Sequence, residues 1–211
     1  MLAAILGECH AYARACAAFA LVRHLWLLEE AGAAYDIRYV DIRRGDGSGA
    51  ADPANPHPHG KTPVIEDDGV VIFEQSAIAL YLADKFRAAE LGPPPGAPAR
   101  GPFLTMLSYY SGVIEPAFVS KVMNFTPPRG TAGWVDSDEC MDFVNALLAR
   151  QPYIAGASFT AADVLYAGAF DLFGRSPLLA DKKTKQLDEY VARCVGRPAR
   201  ARAQAKDEKP A

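Results

Sequence analysis

The spacing of apolar positions changes several times along this chain, and each change marks an element. Leu21, Leu25 and Leu28 recur at helical spacing with Val22 and Trp26 beside them, which predicts a helix. Gly32 can take the left-handed turn that ends it near Ala31. Residues 35–42 then alternate apolar and polar side chains, a strand pattern that follows directly on a helix as in an α/β layer. Residues 43–60 carry glycine, aspartate, proline and histidine and read as a loop. Two β-prone runs, 62–66 and 70–73, flank Asp67-Asp68-Gly69, the pattern of an antiparallel hairpin closed by a tight turn. Residues 76–86 return to helical spacing, with Ile78, Tyr81, Leu82 and Phe86 on one side.

Residues 91–98, Leu-Gly-Pro-Pro-Pro-Gly-Ala-Pro, can neither extend a helix nor pair in a sheet, because proline lacks the amide donor and glycine loosens the backbone. They read as a linker. Beyond them strand signals fade, and helical stretches fit residues 102–123, 137–150, 161–173 and 184–195. Thr160-Ala161-Ala162-Asp163 has the form of a capping box, aspartate standing in for the usual glutamate, and starts the core helix of this half. The charged residues 206–209 read as a disordered tail.

Composition narrows the function. With 22 Lys+Arg against 25 Asp+Glu in 211 residues, the formal charge is -3, which offers no electrostatic footprint for nucleic acid or an anionic membrane. No apolar run approaches the roughly 18 residues of a membrane span. Met1 to Ala20 lacks a basic leader, and Glu8, His10 and Arg14 interrupt it, so a secretion signal is not expected. Cys9, Cys16, Cys140 and Cys194 form no Cys-x-x-Cys pair and have no histidine partners at zinc spacing; reduced thiols in a cytoplasmic protein without a metal are expected. His10, His24, His57 and His59 are dispersed or loop-bound and are expected to face solvent.

A set of landmarks in fixed order carries the strongest functional signal. Trp26-Leu27-Leu28-Glu29-Glu30 with Gly32 and Tyr35, then Gly60-Lys61-Thr62-Pro63-Val64, Asp68-Gly69, Phe73-Glu74-Gln75-Ser76-Ala77-Ile78, Tyr81-Leu82 and the 160–163 box resemble the cytosolic glutathione transferase superfamily. The resemblance implies an α/β plus all-α fold: a thioredoxin-like, glutathione-binding domain over residues 1–86, a linker over 87–100, and an all-helical domain over 101–211. It also implies a homodimer, glutathione as cosubstrate, a small apolar electrophile as the second substrate, and detoxifying conjugation as the activity.

The residues agree with that ligand. Glutathione presents two carboxylates, an ammonium, a peptide backbone and a thiol. The resemblance implies a cis Thr62–Pro63 bond that exposes the Thr62 main chain for an extended peptide to pair with, as an added strand. Glu74 and Gln75 open a helix, where free amides and the positive dipole end attract the γ-glutamyl carboxylate. By the resemblance Glu74 would take the ammonium or orient the motif, and Gln75 stands where serine is usual. Lys61 would pair with the glycyl carboxylate.

The thiolate stabiliser is the open position. A thiol of ordinary pKa, about 8.5, is only partly ionised at neutral pH, and related chains place a serine, tyrosine or cysteine at the start of the first helix. Here that register falls near Ala18 or Phe19, which cannot donate. Cys16 at the helix start, Cys9 or Tyr12 in a helix that begins earlier, and helix-terminal backbone amides are the alternatives. Tyr109, Tyr110, Ser111, Phe118 and the loop 124–134 are candidate walls for the electrophile, with the core as their other reading. Two other functions remain open: a non-catalytic glutathione- or ligand-binding scaffold, and a thiol-disulfide or deglutathionylating enzyme built on Cys16 or Cys9.

Overall fold

The computed structural model describes residues 9–13 and 20–207. Its contacts divide the chain into one unit of residues 1–89 with 198–211 and a second of residues 90–197. The boundary falls at the start of the proline-rich segment. Residues 198–211, expected in the helical domain, group with the first unit.

In the first unit β1 (Cys9–Ala13), β2 (Asp36–Tyr39), β3 (Val64–Asp67) and β4 (Val70–Phe73) form one sheet in the order β2-β1-β3-β4. β1 runs parallel to β2 and antiparallel to β3, and β3 pairs antiparallel with β4. Helix α1 (Ala20–Ala31) connects the parallel strands and α2 (Gln75–Lys85) follows β4, giving the expected thioredoxin-like layer. The hairpin turn uses Asp68 and Gly69 at φ 51 and 79, the doubly positive geometry that matches strand twist and that an Asp-Gly pair adopts readily. β2 stops at Tyr39, short of the expected 42. Past it the Asp41 carboxylate accepts from the Ile42 and Ala50 amides instead, so side-chain bonding replaces the ladder.

Leu25, Trp26, Leu27 and Leu28 are all fully buried, which a helix achieves only when covered on several sides. α2 packs on one side of α1, and α8 (Pro198–Asp207) packs on another. Lys206 and Asp207, expected in a disordered tail, belong to this helix, and residues 208 and 209 of that expectation lie outside the described residues. Alternating alanine and polar residues hide its periodicity, yet Ala199 and Ala203, one turn apart, are the buried contacts, and alanine is the strongest helix former. Proline at its first position is likewise favourable. Glu29 of α1 accepts from Arg202 Nε at 2.7 Å, from Lys206 Nζ, and from the Tyr35 hydroxyl at 2.7 Å. Burial alone would raise the Glu29 carboxyl, but these three donors hold it down at about 2. The Arg200 guanidinium lies over the Trp26 ring at 5.3 Å.

The second unit is helical: α3 (Arg100–Tyr109), α4 (Glu115–Val122), α5 (Ser137–Leu148), α6 (Ala161–Phe173) and α7 (Lys185–Val195). The expected 102–123 helix is interrupted by a π turn at Tyr110–Ile114, in which the Glu115 N–H reaches back five residues to Tyr110 O. Pro116, which has no N–H to continue the ordinary ladder, stands at the start of α4. α6 is the centre, buried over Ala161–Ala167. Tyr166 packs edge-on against Tyr110 at 5.2 Å and donates to Met106 O at 2.9 Å. The Asp163 carboxylate reaches back to the Thr160 N–H at 2.8 Å as the box requires, and also accepts from the Thr160 hydroxyl, the Ile154 N–H and the Tyr190 hydroxyl. Complete burial pushes its pKa up to about 6 despite four donors. Among the described residues no helix is long and apolar enough to cross a membrane.

Candidate functional site

The hairpin register gathers the candidate residues. Val64 pairs with Phe73, so Thr62–Pro63 and Glu74–Gln75 are the residues just outside the ladder at the same end of the hairpin. The Thr62–Pro63 peptide is cis, as the resemblance implies. Thr62 and Pro63 are half-buried and Lys61 is exposed.

Across from them the chain turns from strand to helix at one residue. Glu74 is the residue before the first turn of α2, at φ 69 and ψ 127, a region that a side chain with a Cβ enters only at a cost of about 1–3 kcal/mol. Its exposed side chain does not cap the helix. The helix is fixed from its far end. The Tyr81 hydroxyl and the Lys85 ammonium both donate to the buried Asp67 carboxylate at the end of β3. Burial pulls the Lys85 pKa down, but the bond and charge of Asp67 outweigh it and the net shift is upward.

Residues absent from the sequence-based site support the corner. Asn55, 8% exposed, donates from Nδ2 to Lys61 O at 3.0 Å and accepts the His57 N–H at 3.0 Å. His57, expected in solvent, is only 7% exposed. Its ring packs against Phe73 at 5.1 Å and its Nδ1 accepts the His59 N–H at 3.0 Å. His24 is also buried, at 2%, where it sits on the enclosed α1; His59 is exposed as expected. The signal available for the loop was Asn55 ahead of two X-Pro steps, since asparagine bonds to main-chain groups two residues on; the matching bond from His57 is seen only in the structure.

The cysteine and tyrosine alternatives separate. Cys9 and Tyr12 belong to β1, an interior strand, so the first helix does not begin at either. Cys16, Ala18 and Phe19 lie outside the described residues. Cys140 and Cys194 are fully buried and reduced. Burial pushes both thiols up, Cys140 to about 11, the opposite of an activated nucleophile. Among the described residues no cluster of histidine, cysteine, aspartate and glutamate could hold a metal.

In the second unit Tyr110 and Phe118 belong to the core, at 1% and 2% exposure. Tyr109 is half-buried with its ring at 5.1 Å from Phe143, and Ser111 is half-buried. The 124–134 loop does border a cleft of about 250 Å³ between α4 and α5, walled by Phe125, Pro127 and Trp134 with Ser120, Lys121 and Asp138. Trp134 Nε1 donates to Ser120 Oγ at 3.3 Å and Lys121 pairs with Asp138 at 3.1 Å.

A cis-proline corner at the open end of a thioredoxin-like hairpin, in a chain that continues as an all-helical unit, is the arrangement with which the known relatives can be compared. The profile of the glutathione S-transferase N-terminal domain matches residues 22–85, and that of the C-terminal domain matches residues 136–198. Glutathione S-transferase PM239X14 of Arabidopsis thaliana is 33% identical over 161 residues, which span 65% of this chain and 69% of that protein. Glutathione S-transferase 3 of Schizosaccharomyces pombe is 27% identical over 196 residues, 84% of this chain and 79% of its own. The theta class glutathione S-transferase from the citrus canker pathogen Xanthomonas axonopodis pv. citri, solved with glutathione bound, superposes with a TM-score of 0.72. It is 25% identical, with 94% of this chain and 97% of that one covered. The chain belongs to the glutathione S-transferase family.

Proposed function

We propose that this protein is a transferase that adds the glutathione thiolate to a small apolar electrophile. The observation that carries the reading is the meeting, at one end of the β3–β4 hairpin, of the cis Thr62–Pro63 corner with the N-terminal end of α2. The cysteinyl backbone of glutathione pairs with the Thr62 main chain as an added strand. Its γ-glutamyl carboxylate takes the amides at the start of α2, where the dipole favours negative charge. Glu74 receives the ammonium and Lys61 the glycyl carboxylate. Gln75 lends an amide donor in place of a hydroxyl, a longer arm with a different grip.

Chemically the protein holds the tripeptide so that attack becomes effectively intramolecular, and raises the thiolate fraction through a donor near the sulfur. One charge-assisted bond of about 1.5–3 kcal/mol lowers a thiol pKa by about one to two units. Cys16, which lies outside the described residues, and helix-terminal backbone amides are the candidate donors. The apolar-walled cleft of the second unit is the candidate for the electrophile, and exposed Val70, Val71 and Phe73 on the edge strand β4 favour a homodimer that covers them. Reduced Cys140 and Cys194 suit the cytoplasm.

Calorimetric titration with glutathione, paired with thiolate ultraviolet absorbance and conjugation to a nitroaryl chloride, tests the reading. It requires saturable binding with a rise in thiolate and measurable conjugation. Binding with no thiolate signal and no conjugation to any of a panel of electrophiles would replace it by the scaffold reading. Loss of activity in Cys16→Ser or Cys9→Ser would replace it by thiol-disulfide chemistry.

A further inference from the structure

The loop that supports the glutathione corner is a chain of side-chain bonds to main-chain amides two residues on. Asp52 Oδ1 accepts the Ala54 N–H at 2.9 Å, Asn55 Oδ1 the His57 N–H at 3.0 Å, and His57 Nδ1 the His59 N–H at 3.0 Å. Asn55 Nδ2 then closes the loop onto Lys61 O. Two of these four links pass through His57, whose ring also packs against Phe73, the neighbour of Glu74. One residue therefore connects the Lys61–Thr62 side of the corner to its Glu74 side.

Its link to His59 depends on protonation. An imidazole nitrogen accepts a bond only through a lone pair, so the proton of the neutral ring sits on Nε2. A second proton would have to enter at Nδ1, setting two donors against each other at 3.0 Å. We propose that His57 is a positioning residue of the glutathione site: with Nδ1 unprotonated it locks residues 55–61 in the form that presents Lys61 and Thr62 to the tripeptide, and protonation releases them.

The surroundings favour the locked form at neutral pH. Burial lowers the His57 pKa most; Glu74, from the β4–α2 junction, opposes this, and His59 and Lys61, from the loop itself, add to it. Because the folded pKa lies below the ordinary 6.5, the lock is intact above that value and is lost as pH falls through the depressed one.

This inference rests on glutathione binding at the corner, and its test separates the two. S-methylglutathione, which has no thiol to ionise, is titrated into wild type, His57→Asn and His57→Phe from about pH 7.5 to about pH 5, the imidazole range. The asparagine carbonyl occupies the Nδ1 position and takes the same amide without titrating. Wild-type affinity is expected to fall about tenfold across the range, one hydrogen bond's worth. His57→Asn is expected to stay within about threefold of wild type at the upper pH and to remain flat, and His57→Phe to be about tenfold weaker throughout. Coincident pH profiles for wild type and His57→Asn overturn the role of His57 and leave the glutathione site standing. No binding to wild type at the upper pH overturns both. A nitrogen-15 spectrum showing His57 Nδ1 protonated at the upper pH overturns the lock without reference to any ligand.

Discussion

The Asn55 side-chain amide spans the loop to reach the Lys61 carbonyl at 3.0 Å, and the same side chain holds the His57 N–H. Both bonds are partly or fully buried, so removing their common partner leaves main-chain groups unsatisfied. Asn55→Ala is expected to lower stability by about 1–3 kcal/mol. It should also weaken glutathione binding about tenfold, because Lys61 loses its support. Chemical unfolding and calorimetric titration of the same preparation check the two effects.

Glu74 sets stability against binding. Its φ of 69 suits glycine, which relieves strain of about 1–3 kcal/mol and loses about 0.5–1 in chain entropy. Glu74→Gly should therefore unfold at higher denaturant by about 1 kcal/mol of stability. The same change deletes the ammonium partner, and glutathione affinity should fall by about tenfold or more. Stability and affinity moving together would remove Glu74 from the site.

The α8 helix buries little beyond Ala199 and Ala203, so its attachment depends on charge. Glu29→Gln should cost about 1–2 kcal/mol near neutral pH, less than the full shift implies because Arg202 and Lys206 are half-exposed and screened. The folded carboxyl sits at about 2 against an ordinary 4.5, so this stabilisation is present above the ordinary value and disappears as pH falls between the two. Wild type and Glu29→Gln should thus converge in stability near the bottom of that window. Added salt should narrow their gap at neutral pH. Thermal melts across pH and ionic strength read both trends.

Asp163 accepts from four donors in the centre of the helical unit. Asparagine is nearly the same size but turns one acceptor into a donor, opposing the Thr160 or the Ile154 amide. Asp163→Asn is expected to destabilise by about 2–4 kcal/mol, measured by urea unfolding. Thr160→Ala, which removes one of the four donors, should cost about 1 kcal/mol.

The sequence made the elements with strong periods legible: α6 begins and ends where the pattern places it, and the hairpin turn falls on its Asp-Gly pair. It hid α8, because alanines at alternating positions carry no visible apolar stripe, and the π turn, because Pro116 shifts the hydrogen-bond ladder without changing the spacing of apolar residues. Of the site, the Thr62–Pro63 corner and the Glu74–Gln75 helix start were readable as motifs. Asn55 and His57 were not, since their contribution lies in bonds from side chain to main chain within a loop that reads only as irregular. Burial of His57 depends on Phe73 across the hairpin, a contact that local sequence cannot express.

The most direct test is a crystal structure of the protein grown with glutathione. The account requires the cysteinyl main chain within hydrogen-bond reach of the Thr62 N–H and C=O, and the γ-glutamyl carboxylate on the amides that open α2. Glutathione bound elsewhere, or a corner that stays empty at saturating ligand, would contradict it.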